Sequence, residues 1–473
     1  MDGQQTHYTE TGTLPQIGTN GAPPLPILFE RLERPTPRYT SYPTAPHFHA
    51  GVDGACYRNW LGSLESGSAL SLYIHIPFCD RLCWFCGCTT KQTRKYKPIE
   101  RYLQSLFKEI ATVASTVPAG IPVTALHLGG GSPTMLAPTD FAALAEQIRT
   151  RFHLRSDAEI SIEMDPNDLE EEKYDAMARF GMTRASLGVQ DFDPHVQEAI
   201  NRPQSFEQTR CVVEAMRERG VQSVNLDVLY GLPHQTRKTI EDTVEKTISL
   251  TPDRIALFGY AHVPWIKKHQ KMIDEAALPG TIERFRQANL AAELLEANGY
   301  RRIGMDHFAL EHDEMSEAER NGTLNRNFQG YTTDKADALI GLGASSIGKL
   351  PQGYVQNTPS THDYQRRVDT EGGLATVRGI ALSEDDRVRG WIIERLMCDF
   401  GFSKDQIRSE FADCSEAVLH EADSLAAEDM DGLFVEANGS YAITDAGRPY
   451  VRTIAAEFDA YLARGNARHS VSV

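Results

Sequence analysis

The chain has 473 residues, of which 41% are hydrophobic and 24% are charged, and its formal net charge is −17. This composition is ordinary for a globular protein with one large core domain and smaller additional units. The acidic balance argues against a general nucleic-acid-binding protein, because phosphate contacts need clustered Lys and Arg. The sequence has no apolar run long enough to cross a bilayer and no secretory signal at its start, so it predicts a cytoplasmic protein without membrane association.

The N-terminal part of the chain contains few signals of regular structure. Residues 1–25 are rich in Gly, Pro, Thr and Gln, which predicts a disordered tail. Residues 26–62 are predicted to form an N-terminal segment with extended and helical parts. It contains PTPRYTSYPTAPHF, whose prolines disfavour helix and predict an extended course there.

Strand-like and helix-like segments alternate between residues 63 and 350, which predicts one α/β domain. Such alternation implies parallel strands with active residues at their C-terminal ends, but periodicity alone does not separate an open sheet from a barrel. The predicted strands are Ser71–Ile76, Val123–Leu128, Glu159–Glu163, Ala185–Val189, Ser223–Leu229 and Arg254–Phe258. The predicted helices are Arg101–Ser115, Phe141–Phe152, Leu169–Phe180, Phe206–Arg219, Ile240–Leu250 and Thr281–Asn298.

A second unit is predicted at the C-terminal end of the chain. Residues 351–380 are polar and turn-rich and are interpreted as a connection. In residues 381–473, Ser383 and Asp386 indicate a helix start, and Asn438-Gly439 indicates a hairpin. Helices followed by a hairpin outline a winged-helix-like module. DNA binding is one hypothesis for it, and the acidic balance favours the alternative of a packing or lid domain.

Four of the eight cysteines lie within ten residues, directly after the first predicted strand. In a large chain without an export signal, this grouping favours metal or redox chemistry over disulfides. The spacing of Cys79, Cys83 and Cys86 is C-x3-C-x2-C, and three thiolates can hold three corners of a cubane iron–sulfur cluster. The fourth iron can then bind the amino and carboxylate groups of S-adenosylmethionine (SAM), whose reductive cleavage gives a 5′-deoxyadenosyl radical.

Two other interpretations of the cysteine group were considered. A structural zinc site normally uses two separated C-x2-C pairs, whereas here every cysteine lies on one loop. An electron-transfer ferredoxin needs four protein ligands, and Cys88 could be the fourth on count alone, but the chain is far larger than that task requires. The spacing therefore favours a radical SAM enzyme.

Glycine or polar residues recur at the ends of the later predicted strands. His127–Thr134 contains three consecutive glycines, whose exposed N–H groups suit the amino-acid part of a ligand. Gly341–Gly348 resembles a dinucleotide fingerprint but departs from it at Ser346 and lacks a βαβ unit, so that interpretation is rejected. The other strand-end residues are Glu163, Gln190, Asp191, Asp227, Ala261 and His262.

Segments dispersed from Pro37 to near the C-terminus resemble one family, the oxygen-independent coproporphyrinogen III oxidases of the radical SAM superfamily. These segments are PRYTSYPTA, LYIHIPFC, CGC, GGGSPT, EISIEMDP, GVQDF, NLDVLYGLP, MDHFA and RNFQGYTT. Ser132 and Trp84 stand where the family more often has Thr and Tyr. Ser132 keeps the hydroxyl group, and Trp84 keeps an aromatic ring. Haem chaperones and haem-degrading methyltransferases of the same superfamily usually lack CGC and PRYTSYPTA, so the resemblance favours the oxidase.

The resemblance implies a partial (βα)6 barrel of the TIM-like type with a smaller, mostly helical C-terminal domain. It also implies that Cys79, Cys83 and Cys86 bind a [4Fe–4S] cluster and that Cys88 does not. The positions implied to contact SAM are Tyr73, Phe85, Gly130, Gly131, Ser132, Glu163, Gln190, Arg202, Asp227, Ala261 and Ile347.

The family converts two propionate side chains of coproporphyrinogen III to vinyl groups, giving protoporphyrinogen IX and CO2 in haem biosynthesis. Two SAM molecules are consumed, and an unidentified electron donor and acceptor take part. Because the substrate carries four carboxylates, Arg38 and Arg326, which lie in matching segments, are candidates to bind them. We expect a monomer.

Overall fold

The computed structural model describes Leu32 and residues 34–167, 169–370 and 372–462. The tail predicted for residues 1–25 lies outside the described residues. Within the described ranges, no helix has the length and apolar character needed to span a membrane.

Regular elements follow one another closely along the chain. The helices are α1 (Gly54–Gly62), α2 (Lys97–Thr116), α3 (Pro138–Arg151), α4 (Glu171–Phe180), α5 (Pro194–Ala199), α6 (Phe206–Glu218), α7 (Arg237–Ser249), α8 (Thr281–Ala297), α9 (Glu314–Arg320), α10 (Thr361–Thr370), α11 (Glu384–Asp399), α12 (Lys404–Phe411), α13 (Glu416–Glu428) and α14 (Val451–Ala455). The strands are β1 (Leu70–Ile76), β2 (Phe78–Cys79), β3 (Lys91–Gln92), β4 (Pro122–Gly130), β5 (His153–Met164), β6 (Arg184–Gln190), β7 (Ser223–Tyr230), β8 (Arg254–Gly259), β9 (Tyr300–Ile303), β10 (His307–Leu310), β11 (Asn325–Asn327), β12 (Gly330–Thr332), β13 (Ala338–Leu342), β14 (Ile347–Leu350), β15 (Gly353–Asn357), β16 (Thr376–Ala381), β17 (Gly401–Ser403), β18 (Phe434–Ala437) and β19 (Ser440–Ile443).

One large sheet has the strand order β16-β15-β14-β13-β1-β4-β5-β6-β7-β8-β10-β9. The six strands β1 and β4 to β8 are parallel neighbours in chain order, and helices connect β1 to β4 and each later strand to the next. This unbroken order is that of a barrel wall, since a doubly wound sheet reverses its order at a switch point. The sheet ends at β16 and β9 and so forms a partial barrel, which confirms the predicted fold class.

The two faces of the parallel strands differ in polarity. In β6, Ala185, Leu187 and Val189 are fully buried in the apolar core. The alternate positions Ser186 and Gly188 line a cavity inside the barrel. Because successive side chains of a strand point to opposite faces, this alternation leaves polar groups facing the barrel interior.

Residues 351–380 differ from the turn-rich connection expected from the sequence. Strands β15 and β16 pair antiparallel and extend the main sheet. Helix α10 packs on α2, where the Tyr364 and Tyr102 rings are 5.2 Å apart. The segment looks like a loop in sequence because these elements are short and rich in polar residues.

The C-terminal residues form a three-stranded sheet of order β17-β19-β18 with helices packed around it. Asn438 and Gly439 make the hairpin turn with positive φ angles, as their sequence predicted. The predicted start of α11 is confirmed, because Ser383 and Asp386 form a capping box. Tyr39 and Tyr42 of the N-terminal segment are buried in the same apolar core as these helices, so that segment packs against the C-terminal unit.

Candidate active site

The cysteine loop, residues 79–90, begins just beyond the C-terminal end of β1. Strands β2 and β3 pair across its ends, with Phe78 opposite Lys91 and Cys79 opposite Gln92. The Lys91 N–H also donates to Pro77 O at 2.7 Å. The protein backbone therefore closes the loop on its own.

Later parts of the chain hold the body of the cysteine loop in place. The Trp84 N–H donates to Ile200 O at 2.9 Å. Residues 267–270 contribute three side-chain donors to carbonyl oxygens of the loop. These contacts are Lys267 to Cys88 O at 3.1 Å, His269 to Cys86 O at 2.7 Å and Gln270 to Phe85 O at 2.9 Å.

The three cysteines of the predicted ligand set line one cavity of about 160 Å³, which we call the cluster cavity. Burial raises the pKa of Cys79 and Cys83, while hydrogen bonds from Cys88 lower the pKa of Cys86. Cys79, Cys83 and Cys86 form no disulfide, so their thiols are available as ligands.

The donor set fits a cluster better than a single ion. No group of three or more His, Cys, Asp or Glu side chains in the described ranges could hold a single metal ion. In a cubane each iron takes one thiolate, so its cysteine ligands stand farther apart than those around one ion. Cys79, Cys83 and Cys86 supply one thiol for each of three irons from a single cavity.

Most of the positions expected to contact SAM meet at the cluster cavity. The structure places Tyr73 in a ring contact with His127, with centroids 5.7 Å apart. Ala261 lines a neighbouring cavity, and Ile347 packs in an apolar group with Phe328. The expected positions that line the cluster cavity are Phe85, Gly130, Gly131, Ser132, Glu163, Gln190, Arg202 and Asp227.

The glycine motif has a different physical role from the one expected. The N–H groups of Gly131 and Ser132 donate to Ile76 O and Phe78 O at 2.9 and 2.7 Å, so the protein itself uses them. A Cβ on Gly131 would lie 2.6 Å from Phe78 O. The expectation of exposed N–H groups is therefore wrong at these positions, and the glycines instead allow β4 to approach the start of the cysteine loop closely.

Two carboxylates that line the cluster cavity have pKa values shifted in opposite directions. Burial opposes ionisation of Glu163, but hydrogen bonds from His127 at 3.1 Å and from the Gly130 N–H at 2.9 Å hold its pKa below the usual value. Burial raises the pKa of Asp227 to about 7, although Asn225 donates to it at 2.8 Å. Glu163 is thus the anionic group suited to an ammonium or ribose contact.

Arg202 connects the barrel to the cysteine loop. Its guanidinium donates to Asp165 Oδ2 at 2.6 Å, to Gly188 O at 2.9 Å and to the Cys83 sulfur at 3.6 Å. Asp165 lies within EISIEMDP, so the sequence contained its signal, yet the ion pair was not foreseen.

The two arginines predicted to bind substrate have different surroundings. Arg38 lines the second cavity and donates to Gly259 O at 2.8 Å. Arg326 is buried, lies 4.5 Å over the Tyr331 ring and donates to Arg38 O at 3.3 Å. Arg38 can therefore meet a ligand in that cavity, whereas Arg326 supports the segment that carries Arg38.

Several known proteins are similar to this chain. Residues 73–247 match the radical SAM superfamily. The oxygen-independent coproporphyrinogen III oxidase of Bradyrhizobium diazoefficiens is 47% identical over 441 residues, which are 93% of this chain and 98% of the relative. The enzyme of the same name from Paracoccus denitrificans is 45% identical over 425 residues, covering 90% and 94%. The solved structure of Escherichia coli coproporphyrinogen III oxidase has a TM-score of 0.86 at 38% identity, covering 90% and 98%.

A partial barrel with a three-cysteine loop after its first strand defines a radical SAM enzyme, with a [4Fe–4S] cluster and SAM as its cofactors. Within that superfamily, the chain belongs to the oxygen-independent coproporphyrinogen III oxidase family.

Proposed function

We propose that this enzyme converts two propionate side chains of coproporphyrinogen III to vinyl groups, giving protoporphyrinogen IX and CO2 in haem biosynthesis. The observation that carries the proposal is the closed loop that brings Cys79, Cys83 and Cys86 to one cavity, in a chain whose relatives bear the oxidase name over almost their full length. Each turnover consumes two SAM molecules, one for each propionate.

In this proposal Cys79, Cys83 and Cys86 hold the cluster, and Cys88 supports Cys86 through its N–H, which lies 3.4 Å from the Cys86 sulfur. When bound, the cluster and SAM supply a 5′-deoxyadenosyl radical that removes a hydrogen atom from the β-carbon of a propionate. The ionised Glu163 binds a cationic or hydroxyl group of SAM, and Arg202 fixes the loop against β5 and β6.

The substrate radical then loses CO2 and one electron, and the β-carbon and its neighbour form the vinyl double bond. An acceptor must take that electron, and a donor must reduce the cluster. Both are partners of unidentified chemistry. We also propose that the enzyme is a monomer in the cytoplasm, where reduced thiols such as those of Cys79, Cys83 and Cys86 persist.

The same proposal assigns a role to each domain of the chain. The barrel spans about residues 63–350 and carries the cluster chemistry, and the strands and helix of 351–380 complete its sheet. Residues 381–473 form the C-terminal unit, which we assign to substrate binding and packing.

The direct test is anaerobic reconstitution with iron and sulfide, followed by addition of coproporphyrinogen III, SAM and a reductant. We expect protoporphyrinogen IX, two CO2 and two 5′-deoxyadenosine for each substrate. Cleavage of SAM without decarboxylation would contradict the proposed substrate while leaving the superfamily chemistry intact.

A further inference from the structure

The second cavity lies between β8, α8 and the C-terminal unit and has a volume of about 250 Å³. We call it the arginine pocket, because five arginines contribute to its wall. Among the described residues that line it, the only carboxylate is Asp306, and this side chain already pairs with His307 at 2.7 Å. The five arginines are Arg38, Arg284, Arg302, Arg448 and Arg452.

Part of this arginine cluster has an architectural role. Arg38 donates to Gly259 O at 2.8 Å and Arg284 to Tyr260 O at 2.8 Å, and Arg452 donates to the carbonyls of the N-terminal segment. Carbonyl acceptors fix the orientation of these guanidiniums but do not neutralise their charge. Burial accordingly lowers the pKa of Arg38 and Arg452.

Arg302 has no architectural explanation. It lies on β9 and faces the pocket, and its buried Nε has no hydrogen-bond partner among the described residues. No ion pair or hydrogen bond of its guanidinium occurs within the part of the chain that the structure describes. Burial lowers its pKa as well. A partly buried cation whose Nε has no acceptor is stabilised most by an anion that enters the pocket.

The apolar rim of the pocket is the exposed stretch of chain that reaches it at Trp265. Five large hydrophobic side chains of the described residues are exposed, and four of them lie close together in sequence at one end of α8 and in the loop before it. Trp265 also lines the pocket. These four are Trp265, Ile266, Met272 and Ile282, which are 47–60% exposed. An apolar surface beside a cationic cavity matches a ligand with an apolar body and carboxylate arms.

The pocket adjoins the cluster cavity and meets the expected SAM site at Ala261. None of the described residues lines both the arginine pocket and the cluster cavity. Gln270 contacts both cavities, because its Nε2 donates to Phe85 O at 2.9 Å and to Ala261 O at 3.2 Å. Cys79, Cys83 and Cys86 line only the cluster cavity, so a carboxylate held in the arginine pocket lies away from these thiols.

We propose that the arginine pocket binds the propionate carboxylates that coproporphyrinogen III retains in the product, with the macrocycle resting on the apolar rim. This inference rests on the proposed function. The volume of the pocket is below the range of about 300–1,000 Å³ typical of sites that enclose a drug-sized ligand, so it accepts the carboxylate arms and leaves the macrocycle outside.

The test compares Arg302→Gln with Arg301→Gln. Arg301 is the neighbouring residue on β9, is paired with Glu319 at 2.6 Å and does not line the pocket. We expect Arg302→Gln to raise the KM for coproporphyrinogen III about tenfold or more, the effect of one charge-assisted hydrogen bond, with kcat and cluster content nearly unchanged. Arg301→Gln should keep the wild-type KM, and Arg302→Lys should recover part of the affinity because it keeps the charge.

Binding of two stable porphyrins, followed by quenching of tryptophan fluorescence, separates this inference from the proposed function. Coproporphyrin III carries four carboxylates and protoporphyrin IX only the two that are retained. Arg302→Gln should weaken both to a similar extent. If active Arg302→Gln enzyme kept the wild-type porphyrin affinities and KM, the proposed role of the arginine pocket would be wrong. If Arg302→Gln weakened the binding of coproporphyrin III alone, the assignment to the retained carboxylates would be wrong. Arginine-dependent porphyrin binding without turnover would contradict the proposed reaction while supporting the pocket.

Discussion

Arg202 and Asp165 form an ion pair at the mouth of the barrel, with Nη1 and Oδ2 2.6 Å apart and side chains only 10% and 17% exposed. The pair connects the end of β5 with the turn after α5, and through Arg202 it reaches the sulfur of Cys83. The position of the cluster ligands therefore depends on a charge pair outside the cysteine loop.

Replacing Arg202 by Met should destabilise the enzyme strongly, because Asp165 would remain largely buried without its partner. We expect a loss of about 3–5 kcal/mol in the free energy of unfolding, the usual effect of breaking a buried pair. Anaerobic urea denaturation of the cluster-loaded protein measures it. The double variant with Asp165→Asn should be more stable than the sum of the two single changes predicts, and additive effects would show that the pair is not coupled.

The assignment of cluster ligands predicts opposite results for two neighbouring cysteines. Cys83→Ala should lose the cluster, because it removes one of three thiolates, whereas Cys88→Ala should keep it. Iron and sulfide content after anaerobic reconstitution, with the visible absorption of the cluster, gives the measurement. A full cluster in Cys83→Ala would refute the assignment.

The close approach of β4 to the cysteine loop makes Gly131 intolerant of a side chain. A Cβ there would lie 2.6 and 2.7 Å from Phe78 O and N, so Gly131→Ala should displace the start of the loop and reduce cluster content. Gly67→Ala is the matched control, since nothing lies within 4 Å of its added Cβ. Equal cluster contents in the two variants would contradict this role for the glycine motif.

Glu109 is a buried carboxyl that stabilises the barrel through hydrogen bonds behind the candidate active site. Its oxygens accept hydrogen bonds from the Gly343 N–H at 2.7 Å, from Tyr364 at 2.6 Å and from Asn357 at 2.6 Å. In Glu109→Gln the amide nitrogen must face at least one of these donors. We expect a loss of about 1–3 kcal/mol in unfolding free energy, measured by urea denaturation at pH 8.

The pKa of Glu109 predicts that the stability of the fold depends on pH. Burial raises the pKa of Glu109 from its usual 4.5 to about 7 in the folded protein. Between these values the folded state binds more protons than the unfolded state, so the contribution of Glu109 to stability falls as pH rises from 4.5 to 7. The facing tyrosines, Tyr57, Tyr102 and Tyr364, have raised pKa values and stay neutral throughout. The stability advantage of wild type over Glu109→Gln should therefore shrink between pH 5 and 7; a constant difference would contradict the prediction.

The periodicity of the strands and helices predicted an α/β domain with parallel strands, and the resemblance to a known family added the partial barrel. The strand-end residues Glu163, Gln190 and Asp227 meet at the cluster cavity because parallel strands end at the same edge. Segment 351–380 was missed since short polar strands have no distinctive pattern. The glycine N–H groups were misjudged because the sequence does not show which backbone groups the protein itself satisfies.

The arginine pocket could not be foreseen from the sequence. Its members come from the N-terminal segment, α8, β9 and the C-terminal unit, and no motif connects them. Glu109 is another such case, because a single Glu in an amphipathic helix is normally exposed to solvent, and only the packing of α10 and the β13–β14 turn around it shows that it is buried.

The contact between the N-terminal segment and the C-terminal unit has a consequence for how the enzyme is made. Arg452 donates from Nε to Pro37 O at 3.0 Å, and Arg448 and Arg452 contribute to the same wall as Arg38. The ribosome synthesises Cys79, Cys83 and Cys86 several hundred residues before this part of the wall. A nascent or truncated chain that stops before Arg448 thus contains every proposed cluster ligand but only part of the arginine pocket, so the proposed substrate recognition requires a chain that extends through Arg452.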